Sequence, residues 1–190
     1  MNPTHRARRM IRPLILALIL TGAPAVAATT NADAAGPFCG IYWGSLAKTS
    51  TGRGADYVAN VRTGRHPCYD RIVIDGPPGG FTSRVRYVSN VTSQGRGDIV
   101  RLRGGAKISI VIRANDYNID TGRPTYTPAN PRELTNVTGY STFRQVAWGG
   151  SLEGYTTIGL GVRARLPMRV FNLARPDGRS RLVIDVAHRW

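Results

Sequence analysis

The feature that most restricts what this chain can fold into is a series of short apolar runs in which apolar and polar residues alternate with a period of two. In one run Val85, Tyr87 and Val91 face one side while Arg84 and Arg86 face the other; in the next, Ile108, Ile110 and Ile112 oppose Ser109 and Arg113. Ile158, Leu160 and Val162 alternate with Thr157, Gly159 and Gly161, and Leu182, Ile184 and Val186 alternate with Arg181 and Asp185. Successive side chains leave an extended strand on opposite faces, so this period marks strands buried on one side only. No helical heptad competes with it. Strands are predicted over 69–75, 84–91, 99–103, 107–113, 142–148, 155–162, 168–173 and 181–186, each bounded by Gly, Pro, Asn or Asp. Half-buried antiparallel strands with no helix to cover them must close their apolar faces against a second sheet. The expected fold class is therefore all-β, an antiparallel β-sandwich, with a partly closed barrel as the lesser option. Residues 115–132, carrying Pro124, Pro128 and Pro131, read as a long exposed loop.

The N-terminus has the order of a secretory leader: Arg6, Arg8, Arg9 and Arg12, then the apolar run 14–20, then small residues. That run is too short to span a bilayer, and no transmembrane segment is expected in the mature chain. Cleavage sites end at Ala27 and at Ala34, of which the second is preferred, giving a signal peptide over 1–34. Arg8-Arg9 leaves export open between the general and the twin-arginine route, with Met10-Ile11-Arg12 a poor continuation for the latter. Residues 35–64 are rich in Gly, Ser and Thr and read as an irregular arm with at most short strands, its Tyr42-Trp43 pair docking on the domain formed by 65–190. Only two cysteines exist, Cys39 and Cys68; in an oxidising compartment they are expected to pair and to tie the arm to the domain.

The formal net charge is +15, carried almost wholly by arginine, with Lys48 and Lys107 the only lysines. Removal of the leader takes away four arginines and Asp33 and leaves the mature chain strongly basic. Such a field favours polyanions, and export argues against nucleic acid as the partner. Arginines recur at two-residue spacing: Arg84 with Arg86, Arg101 with Arg103, Arg163 with Arg165, Arg179 with Arg181. On strands such pairs share a face, and neighbouring strands would then carry a basic strip suited to phosphate or carboxylate. The competing reading is a solvated face whose arginines pair with Asp98, Asp177 and others. Trp148 and Tyr155, with Trp43 and Trp190, are the candidates for stacking on sugar rings. Trp148 precedes Gly149-Gly150, read as a turn.

Little in the sequence suggests catalysis. After export only His66 and His188 remain, with Asp70 and Asp185 nearby in sequence but no Gly-x-Ser-x-Gly elbow to supply a nucleophile. There is no HExxH motif, CxxC pair or carboxylate cluster for a metal, and no cofactor is expected. A glycosidase needs two carboxyl groups across a sugar, and the only glutamates are Glu133 and Glu153, the latter read as a residue at the start of a strand paired to an arginine.

Two stretches echo each other, Arg71-Ile72-Val73-Ile74-Asp75 and Arg181-Leu182-Val183-Ile184-Asp185. The second, continued by Val186, resembles the closing strand of AMIN domains. With Trp43-Gly44-Ser45, the 65–71 phrase RHPCYDR, Arg84-Val85-Arg86-Tyr87-Val88, the 150–156 phrase GSLEGYT and Leu166-Pro167-Met168-Arg169-Val170, the mature chain resembles the AMIN-like domain of secreted actinobacterial proteins. The resemblance implies a two-sheet sandwich, an extracytoplasmic address and recruitment to the cell envelope. No amidase or secretin module follows Trp190, so the expected function is that of a secreted, non-catalytic domain binding an anionic envelope component such as peptidoglycan or another wall polymer. The alternatives are a protein-interaction module that docks on a secreted enzyme or envelope complex and, third, an undetected hydrolase. The residues expected to contact ligand are Arg84, Arg86, Arg101, Arg103, Arg163, Arg165, Trp148 and Tyr155.

Overall fold

The structure is a computed structural model and describes residues 36–190; the leader read over 1–34 lies outside the described residues. Eleven strands follow in chain order: β1 (Lys48–Ser50), β2 (Asn60–Arg65), β3 (Tyr69–Gly76), β4 (Ser83–Val88), β5 (Val91–Thr92), β6 (Ile99–Val100), β7 (Ala106–Arg113), β8 (Phe143–Leu152), β9 (Tyr155–Val162), β10 (Met168–Ala174) and β11 (Ser180–Ala187). They form a five-stranded sheet in the order β1-β4-β7-β9-β8, a four-stranded sheet in the order β10-β11-β3-β2, and the small hairpin β5-β6, with antiparallel pairing between all neighbours. The all-β sandwich expected from the alternation is the architecture found.

The core lies where the two inner faces meet. From the larger sheet Val85, Ile108, Ile110, Ile112, Ile158, Leu160 and Val162 point inward, and from the smaller Val61, Ile72, Ile74, Leu182, Ile184 and Val186 answer them, all buried. Each is apolar and most are β-branched, and fully burying one such side chain stabilises by roughly 1.5–3 kcal/mol before chain entropy is subtracted. Phe81, from the turn between β3 and β4, is fully buried, and Asn172 holds that turn in place by accepting from Phe81 N–H and donating to Phe81 C=O.

One expectation is corrected by the outer face of the larger sheet. β9 is not half-buried: from Thr156 to Val162 every residue is buried. The predicted strand over 99–103 is a strand only over Ile99–Val100, and the chain beyond it crosses the outside of β9. The crossing is close because Gly159 and Gly161 have no side chains there: a β-carbon at 159 would meet the Leu102 side chain at 2.9 Å, and one at 161 would lie 2.0 Å from the Arg103 carbonyl oxygen. Gln94 Nε2 donates to Thr157 Oγ1, and Arg103 N–H donates to Gln145 Oε1, fixing the crossing chain to the sheet.

The range 36–64 contributes β1 and all but the last residue of β2 to the two sheets, and Cys39 and Cys68 are joined in a disulfide. Phe38 and Ile41 bridge across a tight turn, and Trp43 packs on Tyr69 with ring centroids 5.9 Å apart while its indole N–H donates to Phe38 C=O. Of the aromatic pair only Trp43 docks; Tyr42 is 79% exposed. The proline-rich segment 115–132 contains no strand, although Tyr126 packs against the core and Thr125 Oγ1 donates to Val58 C=O.

Candidate functional site

At one end of the larger sheet, β4 closes and β7 begins, and the register there sets Val88 opposite Lys107 and Arg86 opposite Ser109. Arg86 and Lys107 therefore share the outward face. Arg165, from the turn between β9 and β10, reaches the same place, and the three cations line an open groove of about 800 Å³ with Ser89, Asn90 and Thr92. Among the described residues no carboxylate lines it.

Two of the three cations, Arg165 and Lys107, are held in place by contacts of their own. The Arg165 guanidinium lies 5.1 Å from the centroid of the Tyr87 ring and donates to the Ser45 carbonyl at 3.3 Å. Tyr87 is fixed in turn, its hydroxyl donating to Leu166 C=O at 2.7 Å and accepting from Leu166 N–H at 2.9 Å. Burial pushes the Tyr87 phenol above its ordinary pKa, so the platform under Arg165 stays neutral. Lys107 Nζ donates to Ser89 C=O at 3.0 Å and to Asn90 Oδ1 at 3.3 Å. Arg84, two residues along β4, extends the same outward face.

The remaining predicted residues fall elsewhere. Arg101, Arg103 and Trp148 meet in a second groove of about 590 Å³ beside Pro131, Arg132 and Glu133. There Arg103 donates to both carboxylate oxygens of Glu133, which neutralises it and raises its pKa. Trp148 stacks at a tilt on Tyr126, centroids 5.2 Å apart, and is half-buried. The Gly149-Gly150 pair after it belongs to β8, where the register slips between Trp148 and Ser151; the turn comes at Glu153-Gly154, whose φ angles of 51° and 79° suit a tight hairpin. Glu153 thus occupies a hairpin tip, not the start of a strand, and among the described residues it makes no ion pair. Tyr155 is exposed beside that tip, opposite Arg113, and Arg163 donates to His188 C=O. Arg179 sits in the turn before β11 and pairs with Asp177.

The structure thus joins Arg86 with Arg165, and Arg101 and Arg103 with Trp148; Arg163 and Tyr155 lie outside both groups. Lys107 is the site residue the sequence reading missed. Its position in the alternation with Ser109 marks it as outward-facing, but only the β4–β7 register brings it beside Arg86.

Asp70 and His188 do meet, His188 Nε2 lying 3.2 Å from Asp70 Oδ1 at the end of the core. The other oxygen of Asp70 accepts from the backbone N–H groups of Thr142 and Phe143, and Thr142 Oγ1 donates to Ala187 C=O. These bonds fasten the start of β8 to the start of β3 and the end of β11. Asp185 is fully buried between Arg71 and Arg169 and accepts from both.

No curated protein matches the chain. A family model does: that of the AMIN-like domain, over residues 56–188, a span that takes in β2 through β11 and all three charges of the cationic groove. Because the match covers most of the chain and the sandwich is on the page, the chain belongs to the AMIN-like domain family, a family of cell-envelope-related domains.

Proposed function

We propose that the domain is a secreted, non-catalytic binding module that holds an anionic wall polymer, peptidoglycan or a related component, along the groove of Arg86, Lys107 and Arg165. The observation that carries this reading is that three cations from three separate segments line one open groove that no acid lines. A forked guanidinium offers paired N–H donors to a carboxylate or phosphate, while Lys107 supplies a point charge. An open groove suits a polymer that passes through, making several weak contacts that add up along its length. The non-catalytic part is supported by the His188–Asp70 pair, whose carboxylate is occupied with backbone donors. Extracytoplasmic placement is supported by the leader-like N-terminus and by the disulfide.

Sedimentation with washed cell walls tests the proposal. Wild-type protein should bind walls, and binding should weaken as salt rises from roughly 0.05 to 0.5 M, where exposed charges become screened. The combined variant Arg86→Ser, Lys107→Ser, Arg165→Ser should bind about tenfold more weakly, since three exposed charge contacts of up to about 1 kcal/mol each are lost. Binding that ignores salt, or that survives the triple variant with its melting temperature intact, would refute the groove. Retention by unstripped envelopes but not by washed walls would favour docking on an envelope protein instead.

A further inference from the structure

The outer face of the smaller sheet carries a second cationic feature, built differently. The register sets Arg71 of β3 between Gly64 of β2 and Asp185 of β11, Val73 between Arg62 and Val183, and Asp75 between Asn60 and Arg181. Val73 is thus ringed by Arg62, Arg71 and Arg181. Because Gly64 has no side chain, a cavity of about 210 Å³ opens over Val73, walled by the three arginines and His66 and floored by Val73 and Val183.

The two aspartates leave much of this donor capacity free. Arg62 gives Nε and Nη2 to Asp75, and Arg71 gives Nε and Nη2 to Asp185, so each keeps its Nη1 hydrogens. Neither Asp75 nor Asp185 lines the cavity. Arg181 has no ion-pair partner among the described residues; its Nε is buried with no acceptor, and its one hydrogen bond is a 3.5 Å contact to Ala174 C=O. That Nε is covered by protein, so what Arg181 can offer a ligand is its Nη hydrogens, which no carboxylate among the described residues holds. The walls are also stiff. Arg71 and Arg169 converge on buried Asp185, and the Arg71 guanidinium lies 5.2 Å from the Tyr69 ring centroid and 5.8 Å from that of Phe171.

We propose that this cavity is an oxyanion-binding site, taking the phosphate of a small organic phosphate, with the Nη groups of Arg181 as the principal donors, Arg62 and Arg71 completing the fork, and the Val73–Val183 floor meeting the organic body. It is separate from the Arg86–Lys107–Arg165 groove, which lies on the other sheet.

The test is a titration of the mature protein with glucose 1-phosphate, inorganic phosphate and glucose at constant ionic strength, followed by backbone amide shifts. Both phosphate-bearing probes should saturate, with shifts at Arg62, Arg71 and Arg181, while glucose alone should not. Arg181→Gln removes a charge that no carboxylate uses, and should weaken glucose 1-phosphate binding about tenfold. Gly64→Leu puts a side chain into the cavity without removing a charge, and its β-carbon would meet only His66 Nε2, at 3.9 Å. It should abolish binding of the sugar phosphate while leaving wall sedimentation unchanged. No saturation by either phosphate probe, equal binding of glucose, or binding that survives either substitution in a protein of unchanged melting temperature overturns the site. Because wall sedimentation is read separately, failure here does not bear on the groove.

Discussion

Gly161 shows how a single missing side chain shapes this surface. The chain crossing β9 brings the Arg103 carbonyl to within 2.0 Å of where a β-carbon would stand, and backbone on both sides has nowhere to go. Gly161→Val should therefore lower stability by about 2–3 kcal/mol, the usual cost of overpacking, read as a fall in the urea midpoint. Gly159→Ala should cost less, because its obstacle is the end of the Leu102 side chain, which can turn aside. Equal midpoints for wild type and Gly161→Val would contradict the crossing. At this scale the sequence was readable for facing and silent on partners. Alternation placed Arg181 and Asp185 outward, but nothing local in the sequence reveals that Asp185 is shared by Arg71, over one hundred positions away, and by Arg169.

Elements were legible in proportion to their apolar content. All eight predicted runs contain strand, because Val, Ile and Leu at alternate positions leave few other ways to be buried. β1 and β2 escaped prediction: Lys48–Ser50 and Asn60–Arg65 contain one apolar residue between them, Val61, and each is held by the neighbour it pairs with rather than by its own pattern. Leu102 flanked by arginines mimics strand alternation after β6; in the fold it covers Gly159 from outside. The pairing of Cys39 with Cys68 was readable from compartment alone, and it closes a span of 29 residues around β1 and β2. Replacing both with Ser should lower stability by roughly 3–4 kcal/mol in the chain-entropy view, measured by denaturant titration against the oxidised wild type. A midpoint unchanged by the double substitution would show that packing of Trp43 on Tyr69 holds the arm without help.

For the molecule as a whole, the excess of arginine is divided between the two sheets in different ways. On the smaller sheet Arg62, Arg71 and Arg169 pair with Asp75 and Asp185 while Arg181 does not; at the end of the larger sheet Arg86, Lys107 and Arg165 line a groove that no acid lines. The basic character was plain in the composition, but its partition was not, since it depends on which strands become neighbours. Pairs at two-residue spacing predicted a strip along strands; only Arg84 and Arg86 occupy one strand in that way, and the groove draws its other charges from β7 and from a turn. Amide-shift mapping with soluble peptidoglycan fragments tests the central claim most directly. The account predicts shifts concentrated at Arg86, Lys107, Arg165 and the adjoining Ser89-Asn90, fading as salt is added; shifts confined to other surfaces, or none at fragment concentrations that saturate wall binding, would contradict it.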